Sequence, residues 1–175
     1  MMQALKSLKR RQFMTAAVGA SGLFVLGCSP EYNWRELRVA EGRAVVAFPA
    51  RVQTETRSLK IEGENLSFSL TSAAVKQNLF AVGFAALPAA LTQARQEAIK
   101  LALLNMLAAN LGASLPAVAM QGEPFMLESS STRPIRMVAR VLIHRGYLLE
   151  FIATGSPDEL SPELTTEFMR SISLR

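Results

Sequence analysis

Few side chains in this 175-residue sequence have the chemistry of a nucleophile, a proton carrier or a metal ligand. There is one histidine, His144, one aspartate, Asp158, and one cysteine, Cys28. A hydrolytic triad would have to join a serine to His144 and Asp158, because the hydroxyl needs an imidazole base and the imidazole needs an orienting carboxylate. His144 falls in an expected hairpin loop, where a solvated turn residue is the ordinary explanation. A metal site draws on several His, Cys or Asp ligands, which this composition does not supply. Carboxylates occur as pairs at Glu62 and Glu64, Asp158 and Glu159, and Glu163 and Glu167. The first pair flanks Gly63 in a turn, and the others stand near a helix start, where the helix dipole favours acids. No Gly-rich phosphate loop occurs, so the sequence points to no cofactor and to a non-enzymatic role.

The thiol of Cys28 has a different context. Residues 1–28 combine a basic start, an apolar stretch from Met14 to Gly27 and a cysteine behind a small residue, the parts of a signal peptide over 1–27. As a helix the apolar stretch reaches about 21 Å, short of a hydrocarbon core of roughly 30 Å. Val25, Leu26, Gly27 and Cys28 resemble a bacterial lipobox, with cleavage between Gly27 and Cys28 and lipid on the cysteine. The alternative is a leader cut elsewhere, with Cys28 incidental. Arg10, Arg11 and Phe13 resemble the twin-arginine export motif, although Lys9 and Thr15 depart from it; general secretion is the competing route. Ser29 after the cysteine resembles the sorting pattern of outer-membrane lipoproteins. The expectation is a protein on the periplasmic side of the cell envelope, outer membrane favoured, tethered through lipid on Cys28.

The net charge of +5 belongs mostly to that leader. Lys6, Lys9, Arg10 and Arg11 precede Cys28 without any acid, which leaves 15 cations against 14 acids from Cys28 onward. Phosphate binding needs a clustered cationic surface, so nucleic acid is excluded as a partner. Arg133, Arg136 and Arg140 form the densest basic group. Arg136 and Arg140, on one strand face, are a candidate partner surface, set against a solvated face neutralised by Glu150. Phe80 and Phe84 are a second candidate, set against burial under the C-terminal helix.

Residues 28–43 read as a lipidated tether, with Tyr32 and Trp34 either in the headgroup layer or folded back on the domain. Residues 44–175 read as one globular domain. Ala44–Phe48 and Arg57–Glu62 have strand character. Leu66–Ala74 and Leu79–Leu87 form a hairpin in which Ala74 opposes Leu79. Leu91–Leu111 is a long helix capped by Thr92 and stopped by Gly112, apolar on nearly every side of its second half and therefore expected to be deeply buried. Ser161 and Pro162 open a shorter C-terminal helix. The hairpin around residue 145 has two possible registers. A two-residue turn at Arg145 and Gly146 sets Glu150 on one face with Val141 and Ile143. A three-residue loop, His144 to Gly146, makes that face entirely apolar and pairs Arg140 with Glu150. The three-residue loop is the expectation.

The order of these pieces, from Phe48-Pro49-Ala50 to the closing Phe168–Leu174 segment, resembles the photosystem extrinsic subunit P (PsbP-like) family over residues 45–174. The resemblance implies an α/β (α+β) fold: an α/β/α sandwich with a mainly antiparallel sheet, one long helix and one short C-terminal helix. Trp34, Arg35 and Glu36 resemble the mature start of small proteobacterial lipoproteins, which implies a non-catalytic envelope role. The functional expectation is a lipid-anchored accessory or assembly protein that binds an envelope protein partner. A periplasmic small-ligand sensor is second and a hydrolase third.

Overall fold

The computed structural model describes residues 31–175. Period-two alternation of apolar and polar residues favours strands over much of this chain, since it lets each strand serve two different faces. The order is β1 (Arg35–Val39), β2 (Ala44–Phe48), β3 (Gln53–Ile61), β4 (Glu64–Val75), β5 (Asn78–Ala86), α1 (Gln93–Leu111), β6 (Phe125–Glu128), β7 (Arg136–His144), β8 (Tyr147–Gly155), α2 (Pro162–Arg170) and β9 (Ser173–Leu174). Six strands form one antiparallel sheet in the order β3-β4-β5-β8-β7-β6, and β1-β2-β9 form a small second one. Helix α1 packs on one face of the large sheet. The small sheet and α2 cover the other. The α+β sandwich expected from the sequence is the observed architecture.

The helix ends are where capping chemistry sets them. Thr92 accepts from the Arg95 amide and Gly112 takes the left-handed conformation after α1. Ser161 caps α2 with Pro162 in its first turn. The burial of α1 is narrower than expected. Ile99, Leu103, Leu104, Leu107 and Ala108 face the sheet, whereas Leu101 and Met106 remain 38% exposed. A single helix above a single sheet can cover only one of its own sides.

The segment read as a tether is partly folded. Arg35–Val39 pairs with β2 along its whole length, and the Asn33 amide donates to the Pro49 carbonyl at 2.7 Å. Trp34 meets Phe80 edge to face at 5.6 Å between centroids and stacks near Tyr32 at 6.3 Å. The fold-back alternative therefore describes both rings. Both rings are half-buried there, where edge-to-face contact with Phe80 adds to the apolar area they remove from water.

The first hairpin has the expected register, with Ala74 opposite Leu79. The β7–β8 hairpin does not. His144 pairs with Tyr147 and Val141 with Glu150 across a two-residue turn, so the three-residue loop is incorrect. Arg145 (φ 48°) and Gly146 (φ 77°) both adopt left-handed backbone, the turn whose twist matches paired strands. Packing gives the larger reason. This register sets Met137, Ala139, Val141 and Ile143 beneath α1. With β8 held by its pairing to β5, the expected one would have put Arg136 and Arg140 there beside Glu150. Guanidinium groups cannot shed their charge, whereas a carboxyl can be buried as a neutral acid, so one glutamate under the helix is the smaller cost.

Candidate functional site

Glu150 occupies the middle of β8, between Val141 of β7 and Gly83 of β5. Its side chain lies on the α1 face and the residue is only 5% exposed. Gly83 makes the room. A Cβ there would lie 2.7 Å from Glu150 Oε2 and 2.6 Å from the Phe68 ring, so neither group could keep its place. Glu150 Oε1 is buried without a hydrogen-bond partner. Burial, with no charged neighbour offsetting it, raises the carboxyl from the ordinary 4.5 to about 7.

The carboxyl borders a cavity of about 340 Å³ between α1 and the sheet. Phe68 and Leu70 of β4, Leu79 and Ala81 of β5 and Ile152 of β8 form its apolar floor, and Leu107 reaches down from α1. Thr154 lies at one end, its hydroxyl donating to the Arg136 carbonyl at 3.0 Å. Glu55 and Arg57 of β3 stand at the outer edge, paired at 2.6 Å and both well exposed. The result is an apolar chamber with one buried carboxyl, the ordinary composition of a small-molecule site. A larger hollow of about 590 Å³ along the outside of α2 is lined mainly by exposed residues and holds no buried polar group.

The residues singled out by sequence lie elsewhere. His144 Nε2 is 2.8 Å from the Arg175 carbonyl oxygen at the turn end of β8, while Asp158 follows its other end. A nine-residue strand separates them by roughly 25 Å, so they form no triad. Glu62 and Glu64 instead flank Arg95, at 3.8 and 3.9 Å. Glu163 in the first turn of α2 is held below the usual carboxylate range by the Ser161 hydroxyl and its own backbone amide. Among the described residues, no group of three or more His, Cys, Asp or Glu side chains is arranged to hold a metal ion.

Neither candidate partner surface keeps its expected form. Phe80 is fully buried, 5.4 Å from the Phe168 ring of α2, and Phe84 is partly buried in the same cluster. Arg140 Nε donates to the Gly122 carbonyl at 2.7 Å and does not pair with Glu150. Arg136 donates to Glu128 and to the Pro157 carbonyl, each at 3.3 Å. Both arginines tie β7 to neighbouring loops. Arg10, Arg11, Phe13, Gly27 and Cys28 lie outside the described residues.

No family model matches this chain, and no curated protein sequence matches it. A solved structure that resembles it is the solution structure of cyanobacterial PsbP (CyanoP) from Synechocystis sp. PCC 6803. The two are 10% identical, with a TM-score of 0.44 over 85% of this chain and 96% of that one. This is a distant likeness of fold.

Sequence reasoning weighed Glu150 only as a strand residue and a partner for Arg140, and gave Gly83 and Leu107 no site role. The available signal was Gly83 itself, because a glycine inside an apolar strand marks a place where another group comes close.

The buried carboxyl makes a pH prediction. The folded chain holds the Glu150 proton up to about pH 7, whereas an unfolded chain loses it near 4.5, so in that window the folded state binds more protons. Glu150's contribution is therefore most favourable below the unfolded value and declines as pH rises through the window, by at most about 3 kcal/mol in all. In urea unfolding from pH 4.5 to 8, Glu150→Gln is expected to match the wild type at the acid end and exceed it at the alkaline end. A difference that does not change with pH would contradict this assignment.

Proposed function

We propose that this chain is a non-catalytic binding protein of the cell envelope, held on the periplasmic side of a membrane by lipid on Cys28, with the α1–sheet chamber as its ligand site. The observation that carries the reading is the chamber: an apolar space of about 340 Å³ between α1 and the sheet, bordered by the unpartnered carboxyl of Glu150. The space opens at the sheet edge past Glu55 and Arg57, and a buried acid without a partner beside it is not what stability alone would keep, because buried polar groups normally have partners. In the accessory role we propose, the domain takes up a ligand and presents it to, or senses it for, an envelope protein partner. An outer-membrane position is favoured by Ser29 after the cysteine.

The supports for anchoring are the residues before the domain. Glu31 is three residues beyond Cys28, a reach of at most about 11 Å. Lipid on Cys28 would hold the folded region close to the bilayer, where apolar or amphipathic compounds concentrate. Among the described residues no helix is long and apolar enough to cross a membrane.

Two results are expected. Palmitate supplied to cells should label the wild type and not Cys28→Ala, and the variant should leave the membrane fraction; equal fractionation of the two would refute the anchor. Hexanol titrated into the full chain in mild detergent should shift the methyl NMR signals of Leu70, Leu107 and Ile152, and Leu107→Trp, which fills the chamber, should abolish those shifts. Shifts confined to other methyl groups would refute the site.

A further inference from the structure

Resting on the reading of the chamber as a ligand site, we infer that its ligand is a cationic amphiphile, a small apolar body bearing one protonated amine, seated with the ammonium against the Glu150 carboxylate. Apart from Arg57 at the outer edge, the polar groups that line the chamber present acceptors once Glu150 is ionised. Glu150 Oε1 is buried and without a donor. Thr154 has already committed its hydroxyl hydrogen to the Arg136 carbonyl, leaving lone pairs toward the chamber. A ligand that satisfies both must bring N–H or O–H donors.

Among the described residues no group supplies that charge. From β5 Glu150 faces Gly83, from β7 Val141 stands opposite, and from β4 comes the Phe68 ring. Helix α1 contributes Leu107 to the chamber, while its buried Lys100 turns its ammonium to Glu97 at 2.6 Å and the Met120 carbonyl at 3.2 Å. On β3 the cationic Arg57 is neutralised by Glu55 at the exposed edge. Where Glu150 is ionised, a carboxylate ligand would confront it without finding an interior donor. An alcohol brings one hydrogen, whereas a primary ammonium brings three, and charge-assisted hydrogen bonds are roughly twice as strong as neutral ones. The walls limit the rest of the molecule: about 340 Å³ lies at the small end of the ~300–1,000 Å³ range of small-molecule sites, and the floor is hydrocarbon and one aromatic ring.

Three probes of matched length test this: hexylammonium, hexanol and hexanoate, titrated into the full chain in mild detergent and followed by the methyl signals of Leu70, Leu107 and Ile152. At pH 8 hexylammonium is expected to bind about tenfold or more tightly than either other probe. Glu150→Gln should remove that preference and leave hexanol affinity unchanged. With the wild type, hexylammonium affinity should fall by roughly tenfold for each pH unit below about 7, as the carboxyl takes up its proton, and hexanol affinity should stay level. Equal binding of all three probes at these methyl groups would overturn the amine assignment and leave the chamber as a ligand site. Tightest binding of hexanoate would overturn it in favour of an acid paired with protonated Glu150. No shift with any probe would overturn both readings. Should Glu150→Gln fail to fold, the wild-type pH series decides alone, and a preference indifferent to pH overturns the inference.

Discussion

The apolar face of α1 needs an apolar floor, and that requirement governs the molecule. Ile99, Leu103, Leu104 and Leu107 point at the six-stranded sheet, and with β8 held by its pairing to β5 only the two-residue turn of the β7–β8 hairpin puts Ala139 and Val141 beneath them. The alternative would bury Arg136 and Arg140, whose charge is permanent. In the accepted register those arginines reach loop carbonyls and Glu128. The pairing of β8 with β5 sets Glu150 under the helix. Gly83 makes that arrangement sterically feasible, and the carboxyl responds by holding its proton to near neutral pH.

The opposite face of the sheet is built for rigidity. Phe80, Phe48 and Phe168 meet at 5.4 to 6.1 Å between centroids, and Trp34 closes the cluster from the N-terminal side at 5.6 Å from Phe80. All three phenylalanines are fully buried. Such rings contribute large apolar area and edge-to-face geometry at little entropic cost. The two faces thus divide the work. One holds the sheet, α2 and the N-terminal segment together, and the other leaves a space beside an acid.

Much of the architecture was legible in the residues. The helix caps at Thr92 and Ser161, the stop at Gly112 and the Ala74–Leu79 register follow from local chemistry, which acts over a few residues and needs no knowledge of neighbours. The chamber was not legible, for a physical reason. Judged as an isolated pair of strands, the β7–β8 hairpin is best with one wholly apolar face and an Arg140–Glu150 pair on the other. Within a sheet covered on both sides there is no solvent face for that pair, so the choice passes to α1 and β5. The same tertiary control explains Trp34, whose partner Phe80 is 46 residues away along the chain. It also explains Leu101 and Met106, which face outward because no second layer among the described residues covers α1.

The central claim is that Glu150 is buried beneath α1 without a partner. The most direct measurement is a titration of its side-chain carboxyl carbon by NMR in selectively labelled full-length protein, assigned with Glu150→Gln. A midpoint near 7 is the result this structure requires. A midpoint near 4.5, the value of a solvated glutamate, would place the carboxyl in water and contradict both the register and the chamber.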